Sequence, residues 1–107
     1  MKINNDEVAV AGNKKVYLID INKYKYLILN EIDSDTINNC ILKLSNYLFL
    51  IGDYKGTISQ YKIENKKIIK ESFKNKSHEN EIISISILND MIISGGKNSN
   101  EIKIWKN

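Results

Sequence analysis

One histidine, one cysteine and a close pair of aspartates are the residues of this 107-residue chain whose types could do chemistry. His78, in "KSHEN", could act as a metal ligand or a general base. It is the only histidine, and no cluster of Cys, Asp or Glu at ligand spacing accompanies it, so a structural role is expected. Cys40, in "NNCILKL", could be a nucleophile, but its strand-like setting offers no base and reads as a small core position. Asp33 and Asp35, in "EIDSD", could share acid and base work; with Ser34 between them they read as a polar loop. "SGGKN" and "GDYKG" bring glycine and lysine together as phosphate-cradling loops do, yet neither has the P-loop spacing or opens a helix. The expectation is a protein that is not an enzyme, with no cofactor and no bound metal.

Charge narrows the partners. Sixteen cations face 13 anions, a net charge of +3 spread along the chain, and every cation is lysine. Without arginine there is no planar fork to grip a phosphate in two places. "KNKSHEN" and "ENKKIIK" are lysine-rich, but their interspersed glutamates make them solvated loops. The pattern argues against nucleic acid; an all-β nucleic-acid-binding domain remains the alternative of a different class, and would show salt-sensitive binding. The opening "MKINNDEVAVAG" lacks the apolar core of a secretion signal, and runs such as "YLFLI" are too short to span a bilayer. A lone cysteine fits a reducing compartment. The expectation is an intracellular chain, cytoplasmic or nuclear, with no membrane contact.

The elements that must position these residues are strands. Short runs of Ile, Val, Leu and Tyr alternate with clusters of Asn, Asp, Gly and Lys every 8–12 residues, and no window carries an apolar stripe at helical spacing. The chain is predicted to be all-β. "VAVAGNKKVYLIDI", "LFLIGDYKGTISQYKI" and "MIISGGKNSNEIKIWK" share one plan: an apolar strand, a Gly, a polar turn and a second strand ending on a large residue. Gly12, Gly52 and Gly95 recur 40 and 43 residues apart, Val16, Ile58 and Ile102 recur 42 and 44 apart, and Ile19, Tyr61 and Trp105 keep step. Flanking segments recur too, giving units 1–33, 34–74 and 75–107, each with up to four strands, a to d, in an up-and-down meander. Strands such as "YLFLI" and "EIISISIL" are apolar or small at nearly every position, which predicts sheets covered on both faces.

In these features the chain resembles the WD-repeat family of β-propellers, most closely in "SHENEIISISILNDMIISGGKNSNEIKIWK". The resemblance implies a structural hydrogen-bond network in which His78, Ser94 and Trp105 hold three positions, with Trp105 buried. The fourth, an Asp in the turn between strands b and c, has no carboxylate counterpart in "KNSN", and Lys55 stands there in the second unit. It further implies a non-catalytic scaffold that holds a protein or peptide partner on its rim, with Lys14, Tyr54 and Lys97 near the contact face.

The first unit keeps only "MKIN" of its strand a, and the third stops after strand c. Propellers need typically 4–8 blades, so about three blades cannot close a ring. The expected architecture is therefore a partial β-propeller with incomplete first and last blades: a fragment of a larger ring, or a small self-assembling protein completed as a homo-oligomer or by another chain.

Overall fold

The computed structural model describes residues 1–3, 6–22, 25–34, 36–76, 78, 81–97 and 102–106, and for 22, 72–76, 83, 105 and 106 only their backbone. Ten strands form three antiparallel sheets, and the described residues contain no helix. The first sheet joins β1 (Glu7–Ala11), β2 (Lys15–Asn22) and β3 (Lys25–Asp33); a bridge from Lys2 to Val8 adds the trace of a further strand. The second joins β4 (Asn38–Lys43), β5 (Leu48–Asp53), β6 (Thr57–Glu64) and β7 (Lys67–Lys76). The third joins β8 (Ile82–Leu88), β9 (Met91–Gly96) and β10 (Ile102–Lys106). All three are simple meanders, and among the described residues only the second has four full strands.

Tight turns suit the right-handed twist of such ladders. β6 and β7 are joined by Asn65 and Lys66, both at positive φ (52° and 61°), the conformation that a two-residue hairpin turn demands. Asn89 does the same at φ 54° between β8 and β9.

The repeat seen in the sequence is a repeat of register. Phe49 lies opposite Tyr61 and Gly52 opposite Ile58; in the third sheet Ile92 lies opposite Trp105 and Gly95 opposite Ile102. The register also shifts at the same place in β4 and β8, between Asn38 and Cys40 and between Ile82 and Ser84. In the first sheet Val8 faces Ile19, as the periodicity implies, but Ala11 rather than Gly12 faces Val16. Gly12 belongs to a shorter turn, where its N–H donates to Lys15 O at 2.8 Å.

Two cores separate the three sheets. On one face of the second sheet Phe49, Ile51, Tyr61, Ile63 and Ile68 meet Ile3, Ala9, Val16 and Leu18 of the first. On the other face Leu50 and Ile58 meet Ile82 and Ile92 of the third. "YLFLI" is thus apolar at successive positions because both faces of β5 are covered. "EIISISIL" differs from expectation: in β8 Ile82 is buried, but Ser84, Ser86, Ile87 and Leu88 are exposed. The third sheet has the second on one side only. Its other side, with Leu88, Met91, Ile102 and Ile104, lies bare, the last two 72 % and 61 % exposed. The outer side of the first sheet shows Val10, Ile21, Tyr26 and Ile28 in the same way.

Candidate functional site

The three turns that join the middle strands of each meander are gathered at one end of the molecule by hydrogen bonds between sheets. Asn38, opening β4, donates its amide to Gly12 O (2.9 Å) and Lys15 O (3.2 Å) of the first turn, and to Ser34 Oγ (3.0 Å). Tyr54 N–H in the second turn donates to Ile37 O at 2.9 Å. His78 N–H donates to Gly56 O of that same turn at 3.0 Å. Lys97 N–H, where β9 enters the third turn, donates to Glu81 O at 2.9 Å, and Asn39 Nδ2 reaches Glu81 Oε2 at 2.6 Å. Lys14, Tyr54 and Lys97 therefore share this end, all three exposed. Lys14 holds the left-handed conformation (φ 62°). Lys97 Nζ is 3.1 Å from Glu81 Oε1, and that hydrogen bond raises the lysine pKa and lowers the carboxyl pKa.

The second turn is built by a residue the sequence reading passed over. Asp53 Oδ1 accepts from the N–H groups of Lys55 and Thr57, both at 2.9 Å, and Gly56 closes the turn at φ 89°. Lys55 stands at the position expected of a carboxylate, while Asp53, two residues earlier, supplies one. An Asp three residues before a Gly is an ordinary turn signal, so Asp53 was legible in "GDYKG".

His78 and Ser94 are brought together. Both are buried (2 % and 1 % exposed), with His78 Nε2 and Ser94 Oγ hydrogen-bonded at 2.9 Å. The imidazole lies over Gly96, where an added Cβ would come within 2.7 Å of Nδ1. The backbone of Trp105 pairs with Ile92, two positions from Ser94; its side chain lies outside the described residues, as do Asp35, Asn98 and Asn100.

The other reactive groups are occupied structurally. Asp33 Oδ1 is 3.1 Å from Lys15 Nζ. Cys40 sits at the border of the second core, Sγ 3.9 Å from Ile82 O. Burial pushes its thiol from the ordinary 9.0 up to about 11. At pH 8 the folded chain should thus react with iodoacetamide about a hundredfold more slowly than the chain unfolded in urea. Because the folded pKa lies above the unfolded one, this thiol's support of the fold is complete below pH 9.0 and is lost as pH rises toward about 11. Equal labelling rates in the two states would refute this burial. Among the described residues no group of three or more His, Cys, Asp or Glu could hold a metal ion, and no helix is long and apolar enough to cross a membrane.

Beside the second turn, on the face of the second sheet that meets the first, lies a cleft of ≈ 210 Å³. Ser59, Tyr61 and Ile51 lie along that face, Ser34 and Thr36 come from the connection after β3, and Lys55 and Lys70 add two ammonium groups. Sequence reasoning did not find this cleft. Lys70 reaches it because β7 pairs it with Tyr61, a pairing that no local pattern announces.

No protein-family model and no curated protein matches this sequence. Among solved structures the chain is similar to a computationally designed protein, Ika4, with a TM-score of 0.72 at 16 % identity. The alignment covers 98 % of this chain and 62 % of that one, and at such identity the likeness concerns the fold alone.

Proposed function

We propose that this chain is a non-catalytic binding scaffold of WD-repeat type, an arc of a larger β-propeller that displays a protein or peptide partner on its turn-bearing end. The observation that carries this reading is the gathering of the three turns, with Lys14, Tyr54 and Lys97, into one hydrogen-bonded surface. Meanders that keep one register and stack face to face are what successive blades require, and the buried His78–Ser94 hydrogen bond supports the same reading. Residues on connecting loops held by a rigid frame are the usual carriers of recognition. The test is selection of binding peptides from a display library, followed by alanine at Lys14, Tyr54 and Lys97 together. Selected peptides should lose binding by at least about tenfold; peptides that bind the triple variant unchanged would remove these residues from the contact face.

A second reading, a ring completed by another copy of the chain, draws on the bare outer sides of the first and third sheets. Exposed apolar sides of this kind are rarely left uncovered. It expects a discrete oligomer by light scattering on a sizing column, reverting to monomer when Ile102 and Ile104 are both changed to Lys. A sharp monomer in the parent chain would exclude it.

A further inference from the structure

We propose that the cleft beside the second turn binds a small hydroxylated organic acid. The argument starts from an internal comparison. By register, Ile51, Gly52 and Asp53 in the second sheet hold the places of Ser94, Gly95 and Gly96 in the third. In the third unit that space holds the imidazole of His78, lying over Gly96 and bonded to Ser94. In the second unit the connection into the sheet supplies Ser34 and Thr36, whose side chains are shorter, and the space is the cleft of ≈ 210 Å³. Among the described residues, the same position in the fold is therefore filled by a polar side chain of the chain itself in one unit and open in the other.

The lining is polar where a core would be apolar. Ser59 is 5 % exposed, borders the cleft, and has no hydrogen-bond partner for its hydroxyl among the described residues. A buried hydroxyl left unpaired is costly, and such a group points to an occupant that pairs with it. Lys55 and Lys70 form no ion pair with any described residue, whereas Lys15, Lys62, Lys66 and Lys97 all do. The one described carboxylate at the cleft, Asp53, already spends Oδ1 on two backbone N–H groups. Among the described residues, two ammonium groups against one carboxylate favour a ligand with a single negative charge. The hydroxyl of Ser59, donor and acceptor both, suits a ligand that carries hydroxyl groups of its own. The volume lies below the roughly 300–1,000 Å³ of drug-sized sites, which limits the ligand to a small metabolite.

The probe is gluconate, titrated into the full-length ¹⁵N-labelled chain at fixed ionic strength, with sorbitol as its uncharged counterpart. Gluconate should give saturable amide shifts at Thr57, Ser59 and Tyr61 with a Kd on the order of 1 mM, and sorbitol should give none. Lys70→Gln and Ser59→Ala should each weaken gluconate by about tenfold, while Lys67→Gln, at the far hairpin, should leave it unchanged. Lys70 is exposed, so its variant keeps the fold even if Ser59→Ala does not. The proposal is overturned by the absence of saturable shifts, by an equal response to sorbitol, by shifts confined to another region, or by Lys70→Gln binding as the parent does.

Discussion

Phe49→Ala and Leu50→Ala should each lower the stability of the chain by about 3–4 kcal/mol, although the two residues are neighbours on one strand. Both are fully buried, but in different cores: Phe49 stacks on Tyr61 (centroids 5.5 Å apart, 11° between planes) toward the first sheet, and Leu50 meets Ile82 and Ile92 toward the third. Alternate residues of a strand point to opposite faces. In a sheet with one wet face, one of two neighbours would sit in water and its loss would cost almost nothing. The measurement is urea unfolding of both variants beside Tyr26→Ala, whose side chain is 72 % exposed and whose removal should change stability by less than about 0.5 kcal/mol. Since a domain of this size is held by about 5–15 kcal/mol in all, each core variant should melt lower by about 12 °C or more. A cost at Leu50 or Phe49 no larger than at Tyr26 would mean that the face concerned is uncovered, and the three-layer stack would be wrong.

Gly52→Ala should be nearly as damaging, for the opposite reason. A Cβ at Gly52 would lie 2.6 Å from Ile82 Cγ2, 2.8 Å from Ile82 Cβ and 2.9 Å from Cys40 Sγ. Ile82 is fully buried at the start of β8, where Asn39 also holds its carbonyl at 3.2 Å, so it has nowhere to retreat. Forcing atoms into a filled core costs about 1–3 kcal/mol, and a near-rigid neighbour places this case toward 3. Gly95 holds the equivalent place in the third sheet, where an added Cβ meets nothing nearer than Ser84 Oγ at 3.5 Å. Gly95→Ala should be neutral or slightly stabilising, because alanine restricts the unfolded chain more than glycine does. Thermal melts of the two single variants, and of Gly52→Ala combined with Ile82→Ala, decide the matter. The double variant should lose less than the sum of the two single losses, since removing Cγ2 relieves the clash. Equal effects at Gly52 and Gly95 would show that the second and third sheets do not approach each other at Gly52.

Much of this architecture is written in short range. The alternation of apolar runs with Asn, Asp and Gly gave ten strands and no helix among the described residues, because each strand follows from local pattern and each turn from residues that accept its backbone angles. The 40–44-residue period gave the meander and most of its register. It slipped by one position at Gly12, since a glycine in a turn and a glycine facing a neighbouring strand look alike in one dimension. His78 and Ser94, sixteen residues apart, are hydrogen-bonded in the structure, and Asp53 was legible in its own turn and passed over.

What the sequence determined by itself is therefore strand, turn and repeat, the properties fixed by neighbours along the chain. Tertiary structure alone decided which faces are wet. "YLFLI" and "EIISISIL" are both apolar or small at nearly every position, yet β5 is sealed on both sides and β8 on one, because burial depends on whether another sheet lies beyond. It also decided the cleft, where Ser34, Ser59 and Lys70 come from three separate stretches of chain. Their meeting depends on how sheets stack and strands pair across tens of residues, and such distances leave no periodic trace in a sequence.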